Sequence, residues 1–112
     1  MTDIYRILAR LRDEGQPAAL VTIIATEGST PREPGSKMIV TSDGRLYGTI
    51  GGGHVELDLQ RRAMEVLRDG APRVVHVNLT ADLAAEEGDI CGGRMDVLIE
   101  PILTHSDSPS EP

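Results

Sequence analysis

Three short stretches of the 112-residue chain hold the side chains that could do chemistry, and each is tied to glycine. GTIGGGHVE (48–56) sets His54 directly after Gly51, Gly52 and Gly53. CGG (91–93) opens on Cys91, the single cysteine, and continues with Gly92 and Gly93. GSTPREPGSK (28–37) carries the hydroxyls of Ser29, Thr30 and Ser36 and the cations Arg32 and Lys37, and is stiffened by Pro31 and Pro34. Arginine offers a planar fork matched to phosphate or carboxylate, and lysine a compact point charge, so this last stretch suits an anion. A thiolate is a soft metal ligand and a nucleophile, and imidazole is a metal ligand. Two such residues are too few for a structural zinc site, which takes four ligands, so a metal facing Cys91 and His54 must bring other ligands with it. Each residue also has a plainer role open to it. Cys91 could be a small buried hydrophobe and His54 a surface residue at a helix start, while Arg32 and Lys37 could pair with Glu27 and Glu33 in a solvated loop.

Seven of the twelve glycines lie between Gly28 and Gly53, and three more are Gly88, Gly92 and Gly93, so ten of them mark two loop systems. Inside regular elements a glycine costs about 0.5–1 kcal/mol relative to alanine, so three in succession at a strand end call for a geometric reason. Between a strand and a helix, Gly51, Gly52 and Gly53 would leave the unpaired N–H groups and the positive dipole end of the helix open to a phosphate. A tight turn that packs the helix closely on the sheet would use them equally. GTIGGG is not G-x-G-x-x-G, and PGSK lacks the spacing of G-x-x-x-x-G-K-[ST], which excludes a generic Rossmann or P-loop reading.

The elements that must position these loops are legible from periodicity. TDIYRILARLRDEG places Ile4, Ile7, Leu8 and Leu11 at helical spacing, with Thr2 or Asp3 as cap and Gly15 as stop. AALVTIIAT (18–26) is an apolar, β-branched run of the kind buried on both faces, hence a central strand. KMIVT and RLYGTI flank Asp43-Gly44, a hairpin signal. HVELDLQRRAMEVLRDG carries Val55, Leu59, Ala63, Val66 and Leu67 on one stripe and ends at Gly70, a second helix. PRVVHVNLT alternates, and RMDVLIEPI gives a further strand. These elements predict an α+β fold: a single mixed, largely antiparallel sheet of about five strands with two main helices. One domain over 1–103 is expected, with a disordered tail over 104–112.

Composition narrows the partners. Eighteen acidic against eleven basic residues leave the chain at −7, and two Tyr with neither Trp nor Phe offer little for bases to stack on, which argues against nucleic acid. No apolar run approaches the ~20 residues that span a bilayer. A lone cysteine and no leader-like opening point to a reducing, cytoplasmic setting.

EGSTPREPGSKMIV, followed by GTIGGGHVE and then CGGRMDVLIEP, resembles the N-terminal domain of the xanthine dehydrogenase accessory protein family (XdhC/CoxI), over about residues 20–101. The resemblance implies a maturation factor that binds molybdenum cofactor as cargo and delivers it to a molybdenum hydroxylase such as xanthine or carbon monoxide dehydrogenase. It further implies a homodimer and, since full-length members often continue into a Rossmann-like domain, either a separate partner supplying that half or a shortened paralogue with a narrower role. The family's shared positions map onto Gly28, Ser29, Pro31, Arg32, Gly35, Lys37, Gly51, Gly52, Gly53, Glu56, Cys91, Gly92 and Gly93. Many relatives have Cys where His54 stands.

Molybdopterin carries a phosphate and a dithiolene-bound metal. Arg32, Lys37 and the glycines 51–53 are expected to hold the phosphate, with Ser29 and Thr30 in the same loop. Cys91 and His54 are expected to face the metal or its sulfur, beside Gly92 and Gly93. Glu56, one turn into the helix, is expected to pair with Arg32 or Lys37. Two other classes stay open at this level: an enzyme acting on a phosphorylated metabolite or nucleotide with Cys91 as nucleophile, and a non-catalytic interaction module.

Overall fold

A computed structural model describes residues 3–30, 32–50, 53–79 and 93–103. The first helix, α1 (Ile4–Asp13), is capped by Asp3, whose carboxylate accepts the Arg6 N–H at 3.1 Å. Its apolar stripe ends in the fully buried Leu11. Strand β1 (Ala18–Glu27) follows, with four successive buried residues at its start, as its unbroken apolar run requires. β2 (Lys37–Thr41) and β3 (Leu46–Gly48) form the hairpin expected at Asp43-Gly44. There the buried Thr41 hydroxyl accepts the Arg45 N–H at 2.8 Å and donates to the Asp43 carboxylate. The Thr41 hydroxyl, helped by the Arg45 guanidinium, holds the Asp43 carboxyl below its usual range against the opposing effect of desolvation. Helix α2 (Gly53–Asp69) and strands β4 (Arg73–Asn78) and β5 (Arg94–Leu103) are the further elements among the described residues.

The sheet runs β3-β2-β1-β5-β4, and all four pairings are antiparallel. The expected α+β architecture, five strands and two helices, is the one observed. β1 is central, as its composition requires. The helices cover opposite faces. On one, Val55, Leu59, Ala63 and Val66 of α2 pack into a core with Val21, Ile23, Val40, Val75 and Val97. On the other, Leu11 of α1 meets Ala18, Leu20 and Ile39, with Ile4, Ile7, Leu8 and Tyr47 packed against them. Each large side chain buried in this way contributes roughly 1.5–3 kcal/mol. Among the described residues no helix is long and apolar enough to cross a membrane. The expected tail over 104–112 lies outside the described residues.

Strand direction decides where the loops go. Glu27 at the end of β1 pairs with Arg94 at the start of β5, and Asn78 at the end of β4 pairs with the same Arg94. Gly48 at the end of β3 pairs with Met38 beside the start of β2. The β1–β2, β3–α2 and β4–β5 connections therefore all leave from one end of the sheet, and these are the three glycine-bordered stretches. The hairpin turn at 42–45 and the α2–β4 link lie at the other end.

Candidate functional site

The convergence is close enough to require glycine at two positions. A Cβ added at Gly93 would lie 2.0 Å from the Ser29 carbonyl oxygen and 2.9 Å from that of Glu27, so the 28–37 loop passes directly against the start of β5. The Gly93 carbonyl in turn accepts the Leu79 N–H at 2.8 Å, which ties in the end of β4. Gly48 has φ +81°, and a Cβ there would sit 2.7 Å from the Lys37 carbonyl oxygen and 3.4 Å from Ile4 Cδ1. The end of β3, the start of β2 and the first turn of α1 thus meet at one point.

From Gly48 the chain turns toward α2, which begins at Gly53 with φ +59°. Glu56 in the first turn of α2 closes this link. Its Oε2 accepts the Thr49 hydroxyl at 2.5 Å and the Ile50 N–H at 3.2 Å. These bonds join the helix to the segment before it. In the neighbouring loop the Thr30 hydroxyl donates to the Arg32 carbonyl at 2.9 Å, a local bond that shapes the turn carrying Arg32.

Arg32 and Lys37 are brought together. Both line an open depression of about 670 Å³, along with Thr49 and with Asp3, Ile4 and Tyr5 from the start of α1. In a chain of net charge −7, two cations here make a local exception, and Asp3, the carboxylate among the described lining residues, has Arg6 Nε 3.7 Å away. His54 is placed elsewhere. It lines a second depression of about 420 Å³ between α2 and β4, with Asp58, Arg61, Arg62, His76 and Asn78. Burial alone would push the Asp58 carboxyl up, but hydrogen bonds from Arg62 and Arg61, at 3.0 and 2.6 Å, outweigh it and hold the group below its usual range. His76 Nδ1 lies 2.6 Å from Asp96 Oδ1 on the adjoining strand.

Gly51, Gly52, Cys91 and Gly92 lie outside the described residues. Among the described residues, no three His, Cys, Asp or Glu side chains gather as a metal site. The contribution of α1 to the cationic depression was not read from the sequence. The available signal was Tyr5, an aromatic residue off the apolar stripe of its own helix. Thr49, too, was passed over inside GTIGGG.

The model of the XdhC and CoxI family matches residues 11–78, which include the 28–37 loop, the β3–α2 link and the whole of α2. The chain belongs to the XdhC and CoxI family. Its relatives include the uncharacterized protein YqeB of Escherichia coli, 36% identical over 97 residues that make up 87% of this chain and 18% of YqeB. The molybdenum cofactor insertion chaperone PaoD of the same organism is 34% identical over 79 residues, 67% of this chain and 25% of PaoD. A crystal structure described as a xanthine dehydrogenase from Bacillus halodurans superposes with a TM-score of 0.77 at 38% identity, covering 91% of this chain and 31% of that one. This family domain therefore spans between 18% and 31% of the length of these three proteins.

Proposed function

We propose that this domain is a carrier for the molybdenum cofactor, which it holds by its phosphate and passes to a molybdenum hydroxylase such as xanthine or carbon monoxide dehydrogenase. The observation that carries this reading is the pairing of Arg32 and Lys37 on one depression at the end of the sheet where all three motif loops emerge. Family membership and the named role of PaoD as an insertion chaperone support the choice of cargo. In this reading the two cations take the phosphate, Gly51, Gly52 and Gly53 open the start of α2 to it, and Ser29 and Thr30 shape the loop between. Cys91, next to Gly92 and Gly93, supplies a soft donor toward molybdenum. His54, assigned with Cys91 to the metal side, lines a different depression from Arg32 and Lys37, so phosphate and metal would be held on separate sides of the α2 start. The domain would work in the cytoplasm, where Cys91 stays reduced, as a homodimer beside a Rossmann-like partner. The much greater length of the relatives is consistent with a further domain acting beside this one.

The test is a titration of the purified chain with molybdenum cofactor at a series of salt concentrations. Binding through two solvent-accessible cations, Arg32 exposed and Lys37 half-buried, weakens as the Debye length shrinks from about 10 Å at 0.1 M to about 3 Å at 1 M, so affinity is expected to fall steadily with salt. No binding at low salt, or an affinity indifferent to salt, would sink the reading and favour a protein-interaction module.

A further inference from the structure

We propose that Tyr5 is the stacking platform for the planar ring of the bound cargo, making the first turn of α1 one wall of the binding site. This rests on the carrier reading above and adds a residue and an element to it. The chain has only two aromatic side chains, Tyr5 and Tyr47. Tyr47 is used by the fold: it packs in the α1 cluster, and the guanidinium groups of Arg10 and Arg45 lie 5.7 and 5.9 Å from its ring centroid. Tyr5 is not used in this way. It sits one residue past Ile4, about 100° around the helix from the stripe of Ile4, Ile7, Leu8 and Leu11, and it is 68% exposed.

Its location is what gives this exposure a meaning. Tyr5 lines the same depression as Arg32 and Lys37, with Ile4 as apolar floor beside it. The wall is positioned by the Asp3 cap and by Ile4, whose Cδ1 lies 3.4 Å from where a Cβ on Gly48 would stand. A phosphorylated planar heterocycle needs a cationic end and an aromatic or apolar face in one site, and Arg32, Lys37, Tyr5 and Ile4 line this one depression. A pterin whose side chain ends in a phosphate has that shape.

The experiment follows a fluorescent oxidised pterin bearing a side-chain phosphate by anisotropy, with inorganic phosphate as competitor. The chain has no tryptophan to interfere. Loss of one ring–aromatic stack is expected to weaken pterin binding roughly 5- to 150-fold in Tyr5→Ala. Tyr5→Phe is expected to bind like wild type, and the inhibition constant of inorganic phosphate to be unchanged in Tyr5→Ala. Unaltered pterin affinity in Tyr5→Ala, while Arg32→Ala loses binding, would overturn the stacking role and leave the carrier reading standing. An equal loss in Tyr5→Phe, or an equal weakening of inorganic phosphate in Tyr5→Ala, would overturn it as well. If wild type binds neither the pterin phosphate nor molybdenum cofactor, the carrier reading itself fails. Because Tyr5 lies outside both buried clusters, thermal melting of the variants is expected to match wild type.

Discussion

Arg32→Ala and Lys37→Ala are each expected to weaken binding of molybdenum cofactor by about 1.5–3 kcal/mol at low salt, the scale of a hydrogen bond to a charged group and equivalent to roughly 10- to 150-fold in Kd. Arg32 is exposed and Lys37 half-buried, so solvent screening places Arg32 at the lower end of that range. The two cations line one depression, and their effects should not simply add: once one is gone, the phosphate can shift toward the other. Wild type should lose affinity on raising salt, the single variants less steeply, and the double variant hardly at all. Isothermal titration of the four proteins at two salt concentrations checks this. Equal affinity across the four would remove the depression from the binding site.

Gly93→Ala is expected to be the most disruptive single change in this end of the fold. The added carbon would have to occupy space 2.0 Å from the Ser29 carbonyl oxygen, well inside van der Waals contact, and the neighbour is backbone rather than the tip of a mobile side chain. Relief requires the 28–37 loop to move away from β5 or the first residues of β5 to move out of the sheet. Forcing extra atoms into a packed site typically costs about 1–3 kcal/mol, occasionally more. For a domain of this size that corresponds to a fall in Tm on the order of 5–15 °C. Cofactor binding should fall too, because the loop that must move carries Arg32. Thermal melting together with titration checks both effects, and a Gly93→Ala protein that melts and binds like wild type would contradict the packing described for these loops.

Local elements were readable from residue type because burial imposes a period on the sequence. Val55, Leu59, Ala63 and Val66 recur at helical spacing and are the buried face of α2; the Asp43-Gly44 pair marks the hairpin; the unbroken run from Ala18 marks the central strand. The neighbours of those elements leave no such trace. Nothing in β5 states that it lies between β1 and β4, yet that placement brings Gly93 onto Ser29 and gathers the three loops at one end. The wall contributed by α1 depends on the close approach of Ile4 to the Gly48 position, 44 residues away, and could not be reached from periodicity. Glu56 at the start of α2 bonds to Thr49 and Ile50, local contacts that its place in the GTIGGGHVE motif does not announce. His54 and Arg32 stand in two glycine-bordered motifs expected to serve one cofactor, and only the fold shows that they line different depressions.

The most direct test of the central claim is a backbone amide map of the chain by nuclear magnetic resonance during titration with molybdenum cofactor. The carrier account predicts that the largest shift changes fall on Tyr5, Arg32, Lys37, Thr49 and Gly53, and that they saturate together at one stoichiometry. Changes confined to Arg62, His76 and Asn78 around the second depression, or no saturable change at all, would contradict it.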